Sequence, residues 1–204
     1  TRITLHVFHG VADLRGIYDF MNTLLIFYAN ESSLTSIDTS TLSPSDTSFA
    51  IEELLDRGTT EEPYQRIDRR CLNTFHISEK CDYTNQHQYE IDIPLSPLLN
   101  LSRSCKSSVV PTLEAMIGRA IHNIYDVGNK DIVGYVPVDL RSRYAIECGG
   151  NAVSNVVLPY TSKMNQLSIE KRAYALREVL KTQALPQNIY VNMQGMAKDV
   201  ATLR

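Results

Sequence analysis

The chain is 204 residues long, 43% hydrophobic and 21% charged, with a net charge of −3. Its length admits one ordinary domain or two small ones with a real core, and its composition excludes disordered, collagen-like and repeat proteins. Acids and bases are interspersed, which leaves no basic footprint for nucleic acid or an anionic membrane, and no apolar run approaches the roughly 18 residues of a membrane span.

In chain order, residues 1–8 (TRITLHVF) alternate Ile3, Leu5 and Val7 with Thr4, His6 and Phe8, the period of two expected of a strand. Apolar residues then fall at Leu14, Ile17, Met21, Leu24, Leu25 and Tyr28, which predicts a helix with one buried stripe. Residues 30–48 are rich in Ser, Thr, Asp and Asn and predict a surface loop or linker. Residues 49–58 (FAIEELLDRG) predict a short helix ended by Gly58, and a strand is expected around residues 74–78.

HQYEIDIPLS alternates again and predicts a strand stopped by Pro94, followed by a short helix over SPLLNLSRSCKSS. SSVVPTLEAMIGRAIHNIY predicts a serine-capped helix burying Leu113, Met116, Ile117, Ala120, Ile121 and Ile124. DIVGYVPVDLR is almost continuously apolar up to Val138, as expected of a strand buried on both faces, and NAVSNVVLPY is a second such strand. Ser168 caps a predicted helix over IEKRAYALREVLKTQ, with Ile169, Ala173, Leu176, Val179 and Leu180 on one side. The irregular alternation of strands and helices predicts an α/β fold, a layered α/β sandwich.

The four cysteines, Cys71, Cys81, Cys105 and Cys148, stand far apart with no CxxC pair, so reduced thiols are expected rather than a zinc site or a disulfide framework. The N-terminus carries no signal-peptide pattern, so a cytoplasmic protein is expected. The chain opens in strand-like sequence and closes at Arg204 within a helical pattern, which leads us to expect a fragment of a longer protein.

The chemistry concentrates in HVFHGVADLRG, residues 6–16, where a strand-like segment meets a helix. A neutral imidazole is the side chain best matched to proton transfer near neutral pH, so His9 is the first candidate, against the reading of an ordinary loop histidine. Asp13 is either the cap of the following helix or a buried carboxylate with an arginine partner. Arg141, at the end of the apolar YVPVDLR, needs a counter-ion or an opening to solvent, with Asp139 and Arg143 in the same cluster. His6 and His9 make a poor metal pair, since they point apart and no third ligand has regular spacing. No GxSxG elbow is present, and His76, His87 and His122 stand alone.

FHGVADLRG resembles the HHxxxDG motif of the condensation-domain and alcohol acyltransferase superfamily: Phe8 stands at the first histidine, His9 at the second, Asp13 at the aspartate and Leu14 at the glycine. Downstream, YEIDIPLSPLLNLSRSCKSSVVPTLEAMIGRAIHNIY, DIVGYVPVDLRSRY and GGNAVSNVVLPY are similar to the family's segments around its PVDLR and GN strands, so the resemblance runs over residues 3–200. It implies a chloramphenicol-acetyltransferase-like fold of two α/β lobes with a tunnel between them. Residues 1–48 would be the end of the N-terminal lobe and residues 49–204 an incomplete C-terminal lobe.

The resemblance further implies an acyltransferase in which His9 is general base or positioning residue. Asp13 would pair with Arg141 to hold the turn. The donor would be a thioester of coenzyme A or of a carrier-protein phosphopantetheine arm, and the acceptor a small alcohol or amine. No metal and no tightly bound cofactor is expected, and neither nucleic acid nor membrane is an expected partner. The alternatives are a non-catalytic docking or scaffold domain of the same fold, an inactive fragment, and an unrelated α/β binding domain.

Overall fold

In the computed structural model, which describes residues 4–7, 9, 12–32, 36–39, 67–68, 71–77, 90–146 and 148–202, local sequence signals set most of the helices. The elements run α1 (Leu14–Glu31), α2 (Leu95–Ser104), α3 (Val109–Ile124), β1 (Ile132–Asp139), α4 (Leu140–Tyr144), β2 (Val153–Tyr160), a 3-10 turn (Ser162–Gln166), α5 (Ile169–Gln183) and α6 (Pro186–Thr202). The described residues are mixed α/β, with β1 and β2 paired antiparallel. The helix expected at residues 49–58, and most of the linker expected at residues 30–48, lie outside the described residues. Two compact units are present: Thr1–Pro63 with Pro137–Ser154 and Tyr190–Arg204, and Tyr64–Val136 with Asn155–Ile189.

In the second unit, α3 and α5 pack on each other beside the strands, around a core that includes Ala115, Ile132, Leu158, Tyr160, Ala173 and Leu176. α5 starts at Ser168, whose hydroxyl accepts from the Lys171 N–H, and it buries Ala173 and Leu176 as its periodicity predicts. α3 differs from its expected face. It buries Pro111, Thr112, Ala115 and Gly118, while Met116, Ile117 and Ile124 are exposed. The physical reason is size: a helix packed tightly on another presents its small residues at the contact, whereas hydrophobicity alone favours the bulky stripe.

Gly118 shows how close that packing is, because a Cβ there would land on the ring of Tyr160. Gly134 of β1 likewise makes room for the Glu114 carboxylate, whose oxygens would lie 2.5 and 2.6 Å from an added Cβ. Burial pushes the Glu114 carboxyl above the usual glutamate value of 4.5.

The strands are fewer than expected. Residues 4–7 and 90–94 form no strand, and the strand expected near residue 74 reduces to one parallel bridge between Thr74 and Asp131. Alternating sequence becomes a strand only where a partner completes the hydrogen-bond ladder, and none pairs with residues 4–7 or 90–94 among the described residues. Nor is β1 buried on both faces, since Tyr135 is exposed; continuous burial runs instead through β2 from Val156 to Tyr160. An apolar run reads alike for a covered and a half-covered strand.

In the first unit, α1 begins one residue after Asp13, but its predicted stripe is largely uncovered. Leu14 is 82% exposed, Leu24, Leu25 and Tyr28 are exposed as well, and Gly16 alone is buried. Periodicity marks a face that can be buried, and only a packed partner buries it.

Gly118→Ala would ordinarily gain helix propensity. Here we expect it to destabilise the protein by about 1–3 kcal/mol, because the methyl group overpacks against a fully buried ring; urea unfolding of the two proteins reads the difference. Glu114→Gln should raise stability at neutral pH. The folded-state carboxyl titrates above 4.5, so its ionised form opposes folding, and the difference from the parent should close as the pH falls to 4 and below.

Candidate functional site

Asp13 carries out both of the roles its sequence position allows. Its backbone is extended at the N-cap of α1, and Oδ1 accepts the Gly16 N–H at 3.0 Å. The same carboxylate faces Arg141: Oδ2 accepts from Nη1 at 2.8 Å and Oδ1 from Nη2 at 3.2 Å. Oδ2 also accepts the Ala152 N–H at 2.8 Å. All four acceptor positions of the carboxylate are thereby filled, and the residue is 3% exposed.

Arg141 is equally complete. Besides its two bonds to Asp13, Nε donates to the Cys148 carbonyl at 2.7 Å, Nη2 to the Gly150 carbonyl at 2.8 Å, and Nη1 to Asp139 Oδ1 at 3.1 Å. All five guanidinium N–H donors are used, and the residue is 7% exposed. The residue is placed by α4, a single turn of helix capped by Asp139 and ended by Ala145 in the left-handed conformation at φ 50. Asp139 joins the cluster from its rim, where Oδ2 also meets the exposed Arg15 at 3.1 Å. Arg143, the other arginine of the PVDLR segment, is exposed.

Burial alone would raise the Asp13 pKa, but the Arg141 hydrogen bonds, the two backbone N–H groups and the guanidinium charge outweigh it, and the carboxyl sits below its ordinary 3.8. Burial likewise opposes the charged form of Arg141, and the bonds to Asp13 and Asp139 overcome it, holding the guanidinium protonated.

His9 lies four residues before Asp13 in an exposed turn, and its side chain makes no hydrogen bond within 3.5 Å among the described residues. Its backbone is held instead: the Asn151 side-chain amide donates to the His9 carbonyl at 3.2 Å. The segment that ties down the turn is therefore Cys148 to Ala152, which supplies two carbonyls and one N–H to the ion pair and one amide to His9. Gly16 lies so close to this segment that a Cβ there would strike the Gly149 carbonyl. Leu14, at the glycine of the motif, points into solvent. Phe8, Gly10 and Val11 lie outside the described residues.

Asp13 and Arg141 are legible in the sequence, whereas the roles of Gly149, Gly150, Asn151 and Gly16 are not. Their contribution is backbone or amide, for which the only visible signal was the GGN run itself. His6 is exposed, and no group of three or more His, Cys, Asp or Glu side chains is placed to hold a metal ion among the described residues. Cys71, Cys105 and Cys148 are free, and Cys81 lies outside the described residues. No described helix is long and apolar enough to cross a membrane. Compared with family models, curated proteins and solved structures, the chain matches none.

Replacing Asp13 by Asn leaves the buried guanidinium only the rim carboxylate of Asp139 as counter-charge, which should cost about 3 kcal/mol of stability in urea unfolding at pH 7. The pH dependence follows from the direction of the shift. With the folded carboxyl below 3.8, the ionised pair adds its full stability above that value and loses it as the pH falls further toward the folded value. The parent protein should therefore weaken on acidification below about pH 4 more steeply than Asp13→Asn.

Proposed function

We propose that this chain is an acyltransferase domain of the condensation-domain and alcohol acyltransferase type, with the chloramphenicol-acetyltransferase-like sandwich that the resemblance implies. The observation that carries the reading is the fully satisfied Asp13–Arg141 pair, which fixes the start of α1 while the His9 side chain four residues earlier stays exposed. A buried ion pair in which every donor and acceptor is used suits an orienting role, because neither group has a lone pair or proton to spare for substrate. The exposed imidazole is the group available for chemistry.

In this reading His9 takes the proton of an acceptor hydroxyl or amine, or positions it, as the acceptor attacks a thioester carbonyl. A C–O or C–N bond forms, the C–S bond breaks, and the thiol of coenzyme A or of a carrier-bound phosphopantetheine arm leaves with a proton. Coenzyme A or the phosphopantetheine thioester enters as donor substrate, with no tightly bound cofactor, and a small alcohol or amine is the acceptor. A carrier-protein domain and cytoplasmic residence belong to the same reading.

A second reading, a docking or scaffold domain of the same fold without catalysis, is favoured by the apolar face that α1 leaves in solvent, where Leu14, Tyr18, Phe20, Phe27 and Tyr28 are all exposed.

Acyl transfer from an acetyl or longer-chain thioester to a panel of amines and alcohols separates the two. His9→Ala should lose 10²–10⁴-fold in rate, the range for a general base, with its unfolding curve unchanged because the side chain is exposed. Unchanged turnover in His9→Ala would remove the histidine mechanism. Absence of transfer by the parent chain across the panel would favour docking.

A further inference from the structure

The second unit holds a buried cation that its neighbours do not neutralise. Arg172 is 9% exposed, stands in the first turn of α5, and among the described residues bonds only to neutral groups: Nε donates to the Ser168 carbonyl at 3.4 Å and Nη1 to the Tyr160 hydroxyl at 3.1 Å. A guanidinium removed from water usually faces a carboxylate, and the N-terminal end of a helix carries partial positive charge, so the position is doubly unfavourable for an unpaired arginine. Its second terminal nitrogen, Nη2, makes no hydrogen bond and yet is not sealed from solvent. Glu170 feels the charge of Arg172, but it is fully exposed, engaged by the Ser168 hydroxyl and its own N–H, and forms no ion pair with Arg172.

The same cluster contains a second unneutralised arginine. Arg119 of α3 donates from Nη1 to Asn165 Oδ1 at 2.6 Å and to the Asn165 carbonyl at 3.1 Å, and forms no ion pair within 4 Å among the described residues. The Tyr160 hydroxyl donates to that same Oδ1 at 3.4 Å. Arg119, Asn165, Tyr160 and Arg172 are thus joined by consecutive hydrogen bonds. With Oδ1 accepting from both sides, the Asn165 Nδ2 amide is left without a partner. His122, one turn from Arg119, stacks obliquely on Tyr160 at 5.8 Å, and its buried Nε2 has no hydrogen-bond partner. Among the described residues the cluster therefore holds two arginines and unpartnered polar nitrogens, with no carboxylate hydrogen-bonded or ion-paired to either guanidinium; the exposed Glu170 acts on Arg172 only through its charge.

We propose that this cluster binds a tetrahedral oxyanion of the phosphate class, held by Arg119, Arg172 and the Asn165 amide. Guanidinium groups match such oxyanions in charge and in donor spacing, and a fixed pair of them selects a dianion over a halide. Tyr160, fully buried, sets the position of Arg172, while the exposed Arg119 supplies the side open to the ligand. The inference stands apart from acyl transfer and uses none of its residues.

Titration of the chain with inorganic phosphate, at ionic strength held constant with sodium chloride, tests this through thermal unfolding and the amide NMR shifts of residues 160–172. Phosphate and sulfate should raise the melting temperature saturably and move those shifts, and acetate should do neither. Methyl phosphate provides the second arm: binding as strong as that of inorganic phosphate assigns the site to phosphate esters, and binding of the inorganic ion alone assigns it to free phosphate. Arg119→Gln, at an exposed position, should fold like the parent and bind phosphate about tenfold more weakly, the order expected for one charge-assisted contact. Stabilisation by phosphate no greater than by chloride, or parent-like phosphate binding in Arg119→Gln, overturns the proposal.

Discussion

The Asp13 carboxylate is the constraint on which the first unit depends. It receives bonds from three separate stretches of chain: the start of α1 through Gly16, α4 through Arg141, and the approach to β2 through Ala152. Folding removes this charge almost wholly from water, and the desolvation cost can be met only if every lone pair is satisfied. That condition fixes more than Asp13. Arg141 must present its fork edge-on, which leaves Nε and Nη2 directed at the Cys148 and Gly150 carbonyls. Gly16 must lack a side chain so that the helix can come close to Gly149. One buried charge thus specifies the conformation of the whole 148–152 segment.

The second unit satisfies its charges differently. Its two packed helices contribute the small residues Ala115 and Ala173 to the core, and Tyr160 is pressed against the bare backbone of Gly118. Close packing of this kind leaves little room for a compensating side chain. The polar end of Tyr160 is used instead to hold Arg172, a neutral contact that orients the guanidinium without neutralising it. Where the first unit spends a carboxylate on its buried arginine, the second leaves the corresponding place to solvent or to an anion from outside.

Helix positions were largely legible from the sequence because caps and period act within a few residues: Asp13 and Ser168 each take the N-cap position and accept a backbone N–H of the following turn, whereas the single turn of α4 behind Asp139 falls where the sequence reads only as the end of a strand. Helix faces were less so. Of the α3 stripe read from hydrophobicity (Leu113, Met116, Ile117, Ala120, Ile121 and Ile124), Ile121 packs against the core, but the buried face is centred on Ala115 and Gly118, because the neighbour selects for size. Strands were least legible, since a ladder needs a partner that alternation cannot name. At the candidate site, Asp13 and Arg141 were visible as charges beside apolar sequence. Asn151 and Gly149 were not, because they act through an amide and a backbone carbonyl. The unneutralised Arg172 was invisible for a related reason: the helix IEKRAYALREVLKTQ reads as an ordinary charged face, and only the burial of one arginine among its charges sets it apart.

His9 and Asp13 are held in different ways. Asp13 is immobilised through both oxygens, whereas His9 is held through its main-chain carbonyl by the Asn151 amide and its imidazole makes no hydrogen bond among the described residues. A proton-transfer group needs a fixed position and an unoccupied nitrogen at once, and these requirements conflict when the same side chain must make the anchoring contacts. In the acyl-transfer reading proposed above, separating them along four residues would resolve the conflict. The backbone and Asp13 take the anchoring, at the cost of burying an ion pair, and the imidazole remains available. An exposed histidine on an unanchored loop would have the free nitrogen without the position, so it is the Asn151 and Asp13 contacts, more than the histidine itself, that distinguish this turn from an ordinary one.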